Sequence, residues 1–234
     1  MNTNKISTGA GIIVAGIFIA AAIFFSRSPS TGTAALNTKI TVPTYTTKAD
    51  ASGDHYLGRE DAPVVITEYS DLECPFCKQA HPTVHKIVDS YGGQVAVKYV
   101  HFPLSIHPKA QKEAEAAECV YKLGGNIAFW SFVDTIFEIT PANNGLDASL
   151  LPQVAKKVGI NEKQFSSCLD SGEMAKKVAG DQQLGIDAGV QGTPHFVVTY
   201  KPTGASITIP GAIPFEQFKQ RIDDLIAGKN TTNS

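Results

Sequence analysis

The spacing of apolar residues changes along the chain at about residues 103 and 190. Before residue 103, two short runs rich in β-branched residues, 63–70 and 94–102, are typical of buried strands. Between them, residues 75–91 carry apolar side chains at helical spacing and end at two glycines. This order predicts a β-α-β unit with parallel strands, in which Pro82 kinks or splits the helix.

From residue 103 to residue 189 the apolar spacing is helical almost throughout. Strand-like segments return at 193–200 and 206–211, joined by a turn-rich link, and they predict a β-hairpin. An amphipathic helix, with Pro214 near its start and Gly228 after its end, closes the chain. The predicted fold is therefore α/β, with a β-α-β part and a β-β-α part separated by an inserted all-α domain.

These patterns divide residues 54–234 into a domain made of residues 54–102 and 190–228, a helical insertion at 103–189, and a tail at 229–234. Ahead of them, residues 10–25 contain no charge, and Lys5 precedes this apolar run. We expect a cytoplasmic N-terminus at 1–9, a membrane anchor at 10–26 and a flexible tether at 27–53. A cleaved signal peptide is the alternative, and both place the remaining chain outside the cytoplasm, where disulfides persist.

The composition of the chain indicates a globular protein and argues against some classes of partner and cofactor. Of the 234 residues, 43% are hydrophobic, which is enough for a sizeable core. The net charge of −2 gives no reason to expect nucleic acid as a partner. The glycines are scattered, without a nucleotide-binding pattern, so we expect no organic cofactor.

Two cysteines, Cys74 and Cys77, stand between the first predicted strand and its helix. If Cys74 is the N-cap and Pro75 the first helical residue, the free N–H groups and the helix dipole favour the Cys74 thiolate. Cys77 then lies one turn deeper, which predicts one exposed, acidic thiol and one shielded thiol. This arrangement suits thiol–disulfide exchange. Glu73 opposes ionisation and Lys78 partly offsets it, so we expect a lowered but not extreme pKa for Cys74.

A metal site is the competing interpretation, because His81 and His85 extend the pattern to C-x2-C-x3-H-x3-H. A structural zinc finger needs a spacer of about a dozen residues to fold its histidines back onto the thiols. Here the last three candidate ligands would be spread over about 12 Å of one helix. We therefore expect no metal on these four residues, and two histidines on an exposed helix face.

The other two cysteines, Cys119 and Cys168, lie in the helical block. Two buried free thiols are one interpretation. In an oxidising compartment we expect a structural disulfide between them instead.

The segment EYSDLECPFC after a strand, the helical insertion, and GVQGTPHFVV before the hairpin together resemble the DsbA-like thiol–disulfide oxidoreductases of the thioredoxin fold. The resemblance implies that Cys74 is the nucleophile and Cys77 the resolving thiol. It also implies that Pro194 is a cis-proline whose neighbour Thr193 presents its backbone to a substrate, whereas a trans turn proline is the plainer interpretation. Glu68 matches a buried carboxylate below the disulfide that relays protons to Cys77, for which we expect a raised pKa. Its alternative is a solvated side chain at the strand edge.

The sequence thus predicts a membrane-anchored, extracytoplasmic dithiol–disulfide oxidase that introduces disulfides into exported proteins with free cysteines. The family implies a membrane reoxidant of the DsbB or vitamin-K-epoxide-reductase (VKOR) type. A Pro-Phe dipeptide between the cysteines, where strongly oxidising members often have a histidine, leaves a reductase or isomerase open. The short, polar tether argues for a monomer and against an isomerase with its own dimerisation domain. A non-catalytic module that binds peptides beside Pro194 is the third interpretation.

Overall fold

The computed structural model describes residues 53–229, which form five strands and six α-helices. The strands are β1 (His55–Leu57), β2 (Val64–Ser70), β3 (Val95–His101), β4 (His195–Tyr200) and β5 (Ala205–Pro210). The helices are α1 (Pro75–Ser90), α2 (Ala110–Ile139), α3 (Leu151–Lys157), α4 (Glu162–Ser171), α5 (Ala175–Asp187) and α6 (Phe215–Ile226). A 3-10 turn at Ala148–Leu150 precedes α3.

The strands form one sheet in the order β1-β3-β2-β4-β5. Strands β2 and β3 are parallel and are joined through α1, whereas β4 runs antiparallel to β2 and to β5. The thioredoxin-like α/β fold predicted from the sequence is therefore confirmed. Since β2 and β3 are internal strands, most of their side chains are buried on both faces, which explains their nearly continuous apolar runs.

Strand β1 was not predicted. It contains three residues and pairs antiparallel with β3, from His55 opposite Tyr99 to Leu57 opposite Val97. A segment of this length is too short to show an alternating pattern, so only its partner strand identifies it.

Helix α1 runs without interruption from Pro75 to Ser90 and contains Pro82. The predicted split at this proline is wrong. Proline removes one N–H from the helical hydrogen-bond ladder. The helix continues because its inner face is buried against the rest of the domain through Ala80, Val84 and Ile87.

The helical insertion at 103–189 is confirmed and contains α2 to α5. Helix α2 is interrupted at Gly125, whose backbone angles (φ 72°, ψ −169°) are not helical. The two glycines at 124–125 therefore separate two helical halves. The second half contributes Phe129, Trp130 and Phe132, all fully buried, to the core.

A disulfide joins Cys119 of α2 to Cys168 of α4. The S–S distance is 1.97 Å and the two Cα atoms are 5.9 Å apart. Both residues are buried, so this bond ties two helices of the insertion together inside its core.

The predicted membrane anchor at 10–26, and nearly all of the predicted tether at 27–53, lie outside the described residues. Within residues 53–229, no helix combines the length and the apolar character that a membrane span requires.

Candidate active site

The two active-site thiols lie where β2 leads into α1. Cys74 is the N-cap of α1, with an extended backbone (φ −77°, ψ 123°), and Pro75 is the first helical residue. The Lys78 N–H donates to the Cys74 carbonyl oxygen at 3.1 Å and closes the first turn. Both Cys74 and Cys77 are free thiols, so the positive end of a helix holds a dithiol.

Cys74 is much less exposed than the sequence predicts. Its exposed fraction is 3%, against 0% for Cys77. The expectation of an exposed thiol is wrong because the loop before β4 covers the sulfur: the Cys74 thiol donates to the Thr193 carbonyl oxygen at 3.4 Å. Beside it, the Phe76 side chain is 59% exposed. Access to the Cys74 sulfur is therefore governed by the loop that carries Thr193.

The two thiols differ strongly in acidity. Hydrogen bonding to the Cys77 thiol is the largest effect that lowers the pKa of Cys74, to about 6, from an ordinary value near 9. The Thr193 side chain and the first backbone N–H groups of the helix lower this pKa further, while burial opposes them. Burial raises the pKa of Cys77, and the neighbouring Cys74 sulfur adds to the rise. At neutral pH the dithiol therefore carries one thiolate, on Cys74.

The loop before β4 contains a cis peptide bond between Thr193 and Pro194. The Gly211 N–H donates to the Pro194 carbonyl oxygen at 2.8 Å, which ties this loop to the end of β5. An open groove runs along the loop and is bordered by Gln191 and His195 as well as by Thr193 and Pro194. Thr193 thus borders both the groove and the reactive sulfur.

Glu68 lies in β2, between Tyr99 of β3 and Phe196 of β4, and its side chain is fully buried. The alternative of a solvated carboxylate at the strand edge is wrong. Burial raises the pKa of Glu68 to about 7, and the nearby Ser70 hydroxyl offsets part of this rise. Burial also raises the pKa of Tyr99, and the charges of Glu68 and Cys77 add to that rise, so these groups lie close together.

Asp71 and His107 form a buried pair that the sequence did not predict. The Asp71 N–H donates to the Cys77 sulfur at 3.4 Å. The Asp71 carboxylate lies 2.8 Å from His107 Nδ1 and accepts the N–H groups of Glu73 and Leu104, both at 2.8 Å. His107 therefore helps to hold the backbone that touches the resolving thiol. In the sequence, the pair is visible only as a histidine in the segment FPLSIHP, and this histidine alone does not indicate Asp71 as its partner.

Glu73, next to the nucleophile, is fully buried rather than solvated. Burial, followed by the charge of Glu73, raises the pKa of Glu113 on α2 to about 9. The two carboxyl groups therefore share a buried site beside Cys74 and hold at least one proton at neutral pH. Glu113 sits in an Ala- and Glu-rich helical segment whose other glutamates, Glu115 and Glu118, are buried too, so nothing in the local pattern marks Glu113 as the partner of Glu73.

The two histidines of α1 do not lie on an exposed face. Only 7% of His81 is exposed, and its Nε2 lies 2.7 Å from a carboxylate oxygen of Asp134 on α2. The expectation of a solvated helix face is wrong because α2 packs over this side of α1. Both histidines therefore lie against Asp134 of α2, and each forms an ion pair with it if the imidazole is protonated.

Comparison with known proteins places this geometry in a family. A family profile described as "Thioredoxin" matches residues 50–224. The crystal structure of DsbA2 from Pseudomonas aeruginosa is similar, with 29% identity, a TM-score of 0.64, and coverage of 76% of this chain and 97% of that chain. BdbD from Bacillus subtilis (oxidised) has 26% identity, a TM-score of 0.64, and coverage of 79% and 98%.

A curated sequence relative is the Na(+)/H(+) antiporter NhaA 3 of Salinispora tropica, 35% identical over 156 residues. That match covers 64% of this chain but 22% of the antiporter. The chain thus spans about a fifth of the length of the curated relatives it matches.

The family profile covers the β-α-β unit, the insertion and the hairpin, and with them both thiols and the Thr193–Pro194 loop. The two crystal structures show the same architecture over nearly their whole length. This chain belongs to the thioredoxin family and is a DsbA-like thiol–disulfide oxidoreductase.

Proposed function

We propose that this oxidoreductase acts as an extracytoplasmic oxidase, which introduces disulfides into exported proteins through the Cys74–Cys77 pair. The observation that carries the proposal is the lowered pKa of Cys74, about 6, beside a Cys77 thiol whose pKa is raised. A stabilised thiolate lowers the free energy of the reduced dithiol. The disulfide then becomes a stronger oxidant, because its reduction leads to a favoured product.

The reaction begins with the oxidised enzyme and a substrate thiolate. The thiolate attacks the Cys74 sulfur, the Cys74–Cys77 bond breaks, and the electron pair leaves on the Cys77 sulfur. Because the pKa of Cys77 is raised, this sulfur takes up a proton, and Glu68, whose pKa of about 7 leaves it partly protonated at neutral pH, would supply it. A second substrate thiolate then attacks the substrate sulfur of the mixed disulfide. Cys74 leaves as a thiolate, so the substrate is oxidised by two electrons and the enzyme is reduced by two.

The loop beside Cys74 supplies the substrate site in this proposal. The groove lined by Thr193 and Pro194 is open, and the Thr193 carbonyl oxygen also contacts the reactive sulfur. In the oxidised enzyme Cys74 has no S–H to donate to the Thr193 carbonyl oxygen, so an extended substrate segment would donate a backbone N–H to this oxygen instead. Such main-chain recognition is independent of side-chain identity, which suits an enzyme that oxidises many exported proteins.

In the cell, such an oxidase needs a location outside the cytoplasm and a partner that reoxidises it. The N-terminal apolar segment would hold the catalytic domain on the outer side of a membrane, as a monomer. A membrane protein of the DsbB or VKOR type would restore the Cys74–Cys77 disulfide after each turnover. The free energy of oxidation would thus come from that partner, since an oxidase left in its reduced form is inactive.

Stoichiometric oxidation of a reduced peptide with two cysteines tests the proposal. Oxidised full-length protein should convert one equivalent of peptide dithiol to disulfide, with glutathione disulfide supporting further turnovers. The Cys74→Ser variant is the matched control and should be inactive. Preferential cleavage of insulin disulfides by the reduced protein, with little peptide oxidation, would indicate a reductase instead. Inactivity of the wild type in both assays would indicate a peptide-binding module.

A further inference from the structure

Two clusters of histidine and carboxylate side chains that include neither thiol lie in the described part of the chain. In the first, His55 and His101 surround Glu118, and their nitrogens are 2.6 and 3.4 Å from one carboxylate oxygen. The Lys177 ammonium already lies 3.4 Å from that oxygen and 2.7 Å from Asp181. A lysine thus supplies the positive charge of this cluster, and the cluster is closed to solvent.

The second cluster consists of two histidines and one aspartate, and it is accessible to solvent. His81 and His85 are four residues apart on α1, so they lie one turn apart on the same face. Their Nε2 atoms are 2.7 and 3.0 Å from the same oxygen of Asp134 on α2. The side chains of His85 and Asp134 are 24% and 15% exposed, so the cluster opens to the surface.

We propose that His81, His85 and Asp134 form a binding site for a divalent transition metal ion of the zinc class, separate from the thiol pair. Two imidazole nitrogens and one carboxylate oxygen form a common three-ligand set for such ions, and water completes the tetrahedron. With bonds of about 2.0 to 2.1 Å, ligand atoms in a tetrahedral site are about 3.3 Å apart. All three ligand atoms lie within 4.8 Å of one another, so small side-chain adjustments suffice.

The donor atoms also limit the choice of ion. Cys77 is one turn before His81 on α1, but its sulfur accepts the Asp71 N–H and is not among the ligand atoms of this cluster. The set is therefore two nitrogens and one oxygen without a thiolate, which suits Zn²⁺, Co²⁺, Ni²⁺ or Cu²⁺ better than Ca²⁺ or Mg²⁺. A metal at this point would bridge α1, the helix that carries the thiols, to α2 of the insertion.

Trp130 provides a reporter within the protein. It is the one tryptophan in the sequence, and its ring centroid lies 6.4 Å from that of His81 and 6.0 Å from that of His85. Co²⁺ bound between the histidines should quench its fluorescence, whereas Zn²⁺, which has a filled d shell, should displace Co²⁺ and restore the emission. The full-length protein is kept in the Cys74–Cys77 oxidised form, so the thiols cannot bind the metal.

We expect saturable quenching with one Co²⁺ per chain, reversed by Zn²⁺. His85→Ala and Asp134→Asn should each weaken the apparent affinity at least tenfold. His195→Ala, which removes a half-buried histidine from the groove instead, should change it less than twofold. Asp134→Asn keeps the shape of the side chain, and circular dichroism checks that each variant is folded. Quenching that does not saturate, or an affinity unchanged in folded His85→Ala, would overturn the proposal and place any binding elsewhere.

Discussion

The Cys74 thiol donates to the Thr193 carbonyl oxygen at 3.4 Å, although the two residues are 119 positions apart in the chain. This contact joins the start of α1 to the loop before β4, the two parts of the fold that the helical insertion separates. It leaves the nucleophile only 3% exposed, while Thr193 also lines an open groove along its loop. The reactive sulfur is therefore reached through the loop that also binds the substrate in the proposed mechanism.

The asymmetry between the thiols predicts opposite phenotypes for the two serine variants. Cys74→Ser should lose all dithiol oxidation, because no sulfur remains to accept the substrate thiolate. Cys77→Ser should accumulate mixed disulfides with substrates through Cys74, since the resolving thiol is missing. Non-reducing electrophoresis followed by mass spectrometry distinguishes them. Mixed disulfides in Cys74→Ser rather than in Cys77→Ser would reverse the assignment of the two roles.

The low pKa of Cys74 predicts a pH-dependent stability of the reduced protein. The folded pKa of about 6 lies below the ordinary value near 9, so the stabilisation is complete above pH 9 and is lost as pH falls through 6. At pH 7 it amounts to about 1 kcal/mol, since one pKa unit corresponds to about 1.4 kcal/mol.

Urea unfolding of the reduced and oxidised proteins at pH 5 and pH 8 measures this effect. The oxidised protein has no Cys74 thiol to titrate and is the control. The free energy of unfolding of the reduced form should increase relative to that of the oxidised form between these pH values. An equal pH dependence of the two forms would show that the Cys74 pKa is not lowered by folding.

The buried carboxyl of Glu68 predicts a stability that decreases with rising pH, opposite to the effect of Cys74. Its folded pKa of about 7 lies above the ordinary value of 4.5, so its contribution to stability is fully present below pH 4.5 and is lost as pH rises through 7. Glu68→Gln removes this titration and should stabilise the protein at pH 8 by roughly 2 to 3 kcal/mol. Urea unfolding of Glu68→Gln and of Glu60→Gln, an exposed glutamate, provides the comparison. No gain in Glu68→Gln at pH 8 would contradict the raised pKa.

The same substitution tests the proposed proton relay. Glu68→Gln cannot supply a proton to the departing Cys77 sulfur, so mixed-disulfide formation should slow by about tenfold to a hundredfold. Stopped-flow measurement of this step should also lose its pH dependence near pH 7. A rate and pH profile like those of Glu60→Gln would show that Glu68 affects stability alone.

We expect the Cys119–Cys168 disulfide to stabilise the fold without taking part in peptide oxidation. It closes a loop with a sequence separation of 49, which stabilises by about 4 kcal/mol in the chain-entropy description. The double variant Cys119→Ala, Cys168→Ala should lose roughly that free energy of unfolding and keep its rate of peptide oxidation at a temperature where it is folded. A folded double variant without oxidase activity would instead give this disulfide a part in catalysis.

The sequence predicts those parts of the fold that depend on the pattern of residues close together in the chain. The β-branched runs predicted β2 and β3. Strand β1 was missed because three residues carry no periodicity. Of the kink or split expected at Pro82, the split does not occur, because tertiary burial outweighs the cost of a proline inside a helix.

The site was predictable only where residues are neighbours in the chain. The spacing of Cys74 and Cys77 indicated the chemistry, and their position at a helix start indicated a lowered pKa. The cover over Cys74 and the contacts of His81 with Asp134 depend on how distant segments pack. Periodicity within one helix gives no information on which residues of another helix will face it.

The most direct test of the proposed oxidase is the equilibrium of the Cys74–Cys77 pair of the full-length protein against a series of glutathione buffers. The stabilised Cys74 thiolate predicts a potential well above that of thioredoxin, towards the value of roughly −120 mV found for strong oxidants. A value near roughly −270 mV, as in thioredoxin, would contradict the account and identify an exported reductase that requires an electron donor.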